Sequence, residues 1–177
     1  MIIKDRTFKN WLEYHKKLFL YPEAKLLVLY RKAQHYTKSK NFLLRAFWSL
    51  RWLRIRRVTG CQMSLDARIG KGLCLLHAGP RIVVSASRIG EYCTIGVNVI
   101  IGYADTENGY RAPQIGDRVY IGHNSSIVGG ITVGDDVLIA PNTFVNRDVP
   151  SNSIVVGNNQ IIHKEEASKA YINLGRH

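Results

Sequence analysis

From residue 69 onward an aliphatic side chain returns every six positions, a period that fits neither the 3.6-residue turn of a helix nor the two-residue alternation of an ordinary strand. The ladder begins with Ile69 and Leu75. After a two-residue slip it continues through Val83, Ile89, Ile95 and Ile101, and after a longer break through Ile115, Ile121, Ile127, Val133, Ile139 and Val145. Side chains at this spacing stack between successive coils, so the chain is expected to form a solenoid of parallel strands with the ladder inside. Glycine follows the ladder residue at seven of the twelve rungs (Gly70, Gly90, Gly96, Gly102, Gly116, Gly122, Gly134), which reads as a need for permissive backbone angles at regular corners.

Ahead of the ladder, residues 8–58 read as two or three helices, broken at Tyr21-Pro22 and by a polar turn over 37–41. After Val145, Asp148-Val149-Pro150 leaves the repeat, 154–157 adds a last strand, and 163–173 closes the end as a short helix. The expected organisation is mainly β: a basic helical segment over 1–60, a β-helix over 61–164 and a cap or tail over 165–177.

The formal net charge of +12 lies entirely in the first part: residues 1–60 hold fifteen Lys and Arg against Asp5, Glu13 and Glu23, whereas 61–177 hold ten of each sign. Trp11, Trp48 and Trp52 accompany this charge, so an anionic membrane surface is a candidate partner alongside plain solvated helices. The arginines of 42–58 do not gather on one side of a helical wheel, which argues against the membrane. No nucleic-acid-binding motif accompanies the charge, and nucleic acid is not an expected partner. Three cysteines without CxxC spacing suggest neither a disulfide framework nor a zinc site, and charges interrupt the first twenty residues too often for a signal peptide or spanning helix. A cytoplasmic protein is expected, with contact at the inner face of the plasma membrane as an extension of the charge argument.

His77 stands where the period slips, so its backbone leaves the regular coil and can present the side chain outward. A neutral imidazole is the usual general base for taking a hydroxyl proton during attack on a thioester. The competing reading is a structural histidine. Residues 102–114 insert extra length between Ile101 and Ile115, as substrate-holding loops on rigid scaffolds do.

The ladder of aliphatic-Gly-x-x-x-x units, the segment LCLLHAGPRIVV (73–84) and the exit DVPSNS (148–153) resemble the hexapeptide-repeat acyltransferases over roughly residues 61–164. The chain is similar to serine acetyltransferases and, more closely, to the short relatives that acetylate sugars of bacterial surface polysaccharides. The resemblance implies a left-handed parallel β-helix with three units per coil, hence about four coils. It also implies acetyl-CoA as acetyl donor, no metal, and a homotrimer whose active-site groove lies between subunits. It places the general base at His77 and an acceptor-binding arginine at Arg111. Backbone amides near Tyr103 and Ala104 would hold the thioester or its oxyanion; Gly122, His123 and Ala140 would line the pantetheine, and Lys164 would meet a CoA phosphate.

The departures fall on the acceptor side. Where serine acetyltransferases carry an Asp before the base, a second Asp that orients it and a His after the loop arginine, this sequence has Leu76, Gln62 and Ala112. Gln62 can accept an imidazole N–H but offers no charge to an imidazolium, so Asp66 or Glu91 is the alternative orienting group. The family's Gly-x-Pro-Ala-Arg/Lys ending reads GNNQI at 157–161. The sequence thus leads to an O-acetyltransferase acting on a sugar hydroxyl in surface-polysaccharide biosynthesis. The alternatives are serine O-acetylation for cysteine biosynthesis and a non-catalytic trimeric scaffold. A three-histidine metal centre of the carbonic anhydrase kind is disfavoured, because within the ladder only His77 and His123 are available.

Overall fold

The computed structural model describes residues 22–76, 82–85, 88–104 and 109–172. Two helices lead into the solenoid, α1 (Pro22–Tyr36) and α2 (Phe42–Thr59). Asn41 caps α2, its side-chain oxygen accepting from the Leu43 and Leu44 amides, and Gly60 ends it in the left-handed conformation. The helical region expected over 8–21 lies outside the described residues.

α1 closes the first coil. Leu26, Leu27, Tyr30 and Ala33 recur at helical spacing and are buried. The first coil has no preceding coil to occupy its outward carbonyls, and α1 supplies donors instead. The Tyr30 hydroxyl donates to the Ser64 carbonyl at 2.8 Å, the Arg31 guanidinium to Ile69 and Gly70 at 2.8 and 2.6 Å, and the Gln34 amide to Ala67 at 2.8 Å. Trp52 of α2 packs against Tyr30 with ring centroids 5.4 Å apart.

The solenoid has three faces of parallel strands. The first face stacks β1 (Gln62–Met63), β4 (Val83–Val84), β7 (Ile100–Gly102), β10 (Ser126–Val128) and β13 (Phe144–Val145). The second stacks β2 (Arg68–Ile69), β5 (Arg88–Ile89), β8 (Gln114–Ile115) and β11 (Thr132–Val133). The third stacks β3 (Cys74–Leu75), β6 (Thr94–Ile95), β9 (Tyr120–Ile121), β12 (Val137–Ile139) and β14 (Ser153–Val156), with β15 (Gln160–His163) added antiparallel at the end. This is a hexapeptide-repeat β-solenoid of about four turns. The register stacks like on like: Ile69 on Ile89 on Ile115 on Val133, and Leu75 on Ile95 on Ile121 on Ile139.

The ladder differs from the sequence expectation at two rungs. It starts a strand earlier, at buried Met63, and the inward residue of β4 is Val84, stacked between Met63 and Ile101, while Val83 turns outward. An unbranched Met escapes a search for Ile, Leu and Val. A pair of adjacent valines cannot reveal which one faces in.

The glycine expectation is also corrected. The left-handed corners, three positions after the ladder residue, are occupied mostly by other residues: Tyr92, Asn98, Arg118, Asn124, Asp136 and Asn142, with Gly72 in the first coil. The glycines directly after the ladder residue have ordinary backbone angles. At six of the seven positions, Gly102 excepted, an added Cβ would lie 2.2–2.8 Å from atoms of the next coil. They are there because two coils meet backbone to backbone.

The closing helix expected over 163–173 does not form. Residues 160–163 pair back on β14 as β15, and 165–171 run in turns locked by Asp136, whose carboxylate accepts from the Ser168 amide and hydroxyl. Ala167 and Ile172 thereby cover Tyr120 and Leu138 on the outside of the third face. The three cysteines are free, and burial pushes the Cys61 and Cys93 thiols up to about 11 and about 12, so both stay protonated packing groups at neutral pH. Among the described residues no helix is long and apolar enough to cross a membrane.

Candidate active site

The connections from third-face to first-face strands all run along one corner of the solenoid. Gly122 and His123 lie there between β9 and β10, and Ala140 between β12 and β13. The connection from β3 to β4 crosses the same corner one end lower, and His77 falls in it by sequence. Residues 77–81 lie outside the described residues, but both flanks are fixed. The Leu76 amide donates to Ile95 at 2.9 Å, and the carbonyl of buried Ile82 accepts from the Gln62 amide at 2.8 Å.

The corner is a hydrogen-bonded track. The Gly122 amide donates to Ile139 at 2.8 Å and the Ala140 amide to Val155 at 2.9 Å. These amides are spent on neighbouring coils, so what Gly122 and Ala140 offer a ligand is a stretch of edge with small side chains, beside the His123 ring. Val97 N–H donates to the His123 Nδ1 at 2.8 Å, which leaves the neutral ring's proton on Nε2. Asn98 and Asn124 stack on the same edge, amide to amide at 2.9 Å, a pair that carries no distinguishing signal in the sequence.

Tyr103, Ala104 and Arg111 stand on another corner, between the first and second faces. Ala104 and Arg111 bridge each other antiparallel, each amide donating to the other's carbonyl at 3.2 Å, and close the neck of the 102–114 insertion. The Ala104 amide is therefore occupied, not free for an oxyanion. Tyr103 and Tyr110 meet edge to face at 5.5 Å above the neck. Arg111 lines a cavity of about 480 Å³ together with Ala104, Val128, Gly129, Gly130 and Asn146. Gly130 leaves the room for it, since a Cβ there would lie 2.5 Å from that of Arg111.

Gln62 opens the first face with its side chain exposed, and lines a cavity of about 470 Å³ with Trp52 and Arg56 of α2 and with Ser85. The alternative orienting carboxylates stand elsewhere: Asp66 on the first-to-second corner, and Glu91 on the second-to-third corner, paired with Lys71 at 2.8 Å. Neither shares a corner with the β3–β4 connection. Leu76, at the position of an acidic residue in the resembling enzymes, packs with Tyr92, Ala140 and Ile154 against the outer apolar cluster of the third face. Lys164 is exposed and its amide bonds Asn152, away from the Gly122 corner. Arg56 and Asn146 carry no signal in the sequence either, because only the packing of α2 and of the coils places them. Among the described residues no group of three His, Cys, Asp or Glu side chains is placed to hold a metal.

Within one chain, then, the corner crossed by the His77 connection and the corner bearing Arg111 are separated by the first face.

Residues 112–147 match the family model described as bacterial transferase hexapeptide (six repeats). The chain is 36% identical over 141 residues to a serine acetyltransferase of Helicobacter pylori, covering 79% of this chain and 80% of that protein. Among solved structures it is similar to Neisseria gonorrhoeae serine acetyltransferase (26% identity, TM-score 0.73, 98% of this chain and 65% of that one). It is likewise similar to soybean serine acetyltransferase complexed with serine (28% identity, TM-score 0.72, 82% and 59%). The chain thus spans about two thirds or less of the solved structures that it matches. These relatives overturn the expectation of a sugar acceptor and of a closer kinship with polysaccharide acetylating enzymes. Three altered residues on the acceptor side point away from serine, whereas the likeness to the H. pylori enzyme extends over four fifths of its length.

Proposed function

The chain belongs to the serine acetyltransferase family of hexapeptide-repeat transferases, an acyltransferase by descent, and from that premise we propose that it moves the acetyl group of acetyl-CoA to the hydroxyl of L-serine. The observation that carries this reading is the 36% identity over most of both chains. In the proposed reaction His77 takes the serine hydroxyl proton as the oxygen attacks the thioester carbonyl. Collapse of the tetrahedral adduct expels the CoA thiolate, which recovers the proton from the imidazolium. O-Acetylserine and CoA thiol are the products.

The Gly122–Ala140 corner suits an extended pantetheine arm, and the cavity beside Arg111 suits a small carboxylate. These stand on different corners, which supports a trimer in which each site joins one subunit's His77 to its neighbour's Arg111. Thiol release from acetyl-CoA on addition of L-serine tests the activity; its absence with serine would refute the reading. Mixed assemblies test the geometry. His77→Ala and Arg111→Ala are each expected to be nearly inactive, and random heterotrimers of the two should recover about a quarter of the wild-type rate, because one interface in four then joins two intact halves. No recovery in heterotrimers that do form would place the site within one chain.

Gln62 defines a further expectation. An amide beside the base holds the ring without stabilising its charge, and such an amide costs up to about 10⁴-fold in a serine hydrolase triad. Gln62→Asp is therefore expected to raise kcat with L-serine at least about tenfold. An unchanged or lower kcat would show that this position does not reach the imidazole.

A further inference from the structure

We propose that the outward face of α2 binds an anionic phospholipid surface. The helix turns Trp52 inward, yet Phe42, Leu43, Phe47 and Leu50 on its other side are 67, 75, 50 and 66% exposed. A soluble helix in contact with water alone does not leave four large apolar residues so close together uncovered. The same helix carries Arg45, Arg51, Arg54, Arg56 and Arg57 and no acidic residue. The guanidinium of Arg51 lies over the rings of Phe47 and Trp48 at 5.5 and 5.7 Å, and that of Arg45 over Phe42 at 5.8 Å. Aromatic bodies with cationic tips are the chemistry of the headgroup layer, where the rings and alkyl stems sink toward the acyl chains and the guanidiniums meet phosphates. The arginines need not gather on one side for this, because each is long enough to reach the phosphate plane from within the apolar arc.

Charge decides the occupant. A second copy docking through this face would set five arginines against five, without a carboxylate on either side. The chain's first 21 residues are net basic as well, with five Lys and Arg against two acids. Nucleic acid would satisfy the arginines but leave the leucines in water. An anionic bilayer satisfies both, independently of the transferase reaction.

Flotation of the full chain with vesicles tests this. Binding is expected to phosphatidylcholine vesicles that contain phosphatidylglycerol, to be lost at high salt, and to be absent with phosphatidylcholine alone. Arg51→Gln/Arg54→Gln should weaken it at least about tenfold, and Leu43→Glu/Phe47→Glu/Leu50→Glu about a hundredfold or more, with circular dichroism and acetyl transfer unchanged. Failure of the wild type to float, or equal binding to neutral vesicles, overturns the proposal. So does a drop in assembly mass on the triple substitution, which would mean that protein covers this face.

Discussion

Replacing His77 by alanine is expected to lower kcat for acetyl transfer by roughly a thousandfold, a loss of about 4 kcal/mol of transition-state stabilisation. A serine hydroxyl is too weak a nucleophile to attack a thioester while it keeps its proton. No other imidazole among the described residues is placed to substitute on this corner: His123 stands two coils further on, and its Nδ1 is already held by Val97. The fold should survive the change, because the connection is anchored on both sides by the Leu76–Ile95 and Gln62–Ile82 bonds. The KM for acetyl-CoA should move little, since the proposed pantetheine track, along Gly122 and Ala140, does not include His77. On the acid side of the wild-type profile, where an imidazole carries its proton, activity should fall; the residual activity of the alanine variant should lack that limb. Single-turnover rates and pH profiles check both points. A variant that keeps more than about a tenth of the rate would remove His77 from the chemistry.

How much of the molecule is legible in its sequence depends on how local the signal is. Stacked side chains must repeat with the coil, so the spacing of Ile115, Ile121, Ile127, Val133, Ile139 and Val145 is enough by itself to specify a solenoid. The rung at Met63 escapes this reading because its side chain is unbranched, and that at Val84 because a shift of one residue, to Val83, leaves hydrophobicity unchanged. The ends are least legible: whether 163–173 forms a helix or a hairpin and turns depends on Asp136 reaching Ser168 across thirty-two residues, a contact absent from local sequence. At the site, His77 and Arg111 stand out through the breaks in the ladder that hold them, but their separation on two corners emerges only when the coils are wound. The acceptor is misread for a different reason. Leu76, Gln62 and Ala112 are real departures from the serine enzymes' pattern, yet they describe how the site differs, and whole-chain similarity describes what it descends from.

The glycines after the ladder residues supply the second large effect, on stability. Gly116→Ala is expected to destabilise the protein by about 3 kcal/mol and to lower its melting temperature by about 10 °C. The added Cβ would lie 2.4 Å from the Asp135 carboxylate and 2.7 Å from the Gly134 carbonyl of the next coil, both far inside van der Waals contact. A flexible side chain can swing aside, but backbone cannot, because Gly134 and Asp135 are themselves tied to the following coil through Val149 and Ser151. Relief therefore requires the coils to separate, and separation strains the Gly116–Val133 and Gly134–Val149 bonds on either side. Gly102→Ala is the control. Gly102 also follows a ladder residue, but its Cβ would meet nothing closer than 3.9 Å, and its backbone is not left-handed. If these glycines served backbone freedom, the two substitutions would cost about the same, within roughly 1 kcal/mol. If they serve the approach of coil to coil, Gly116→Ala melts far below wild type and Gly102→Ala beside it, and differential scanning calorimetry of the pair separates the two accounts.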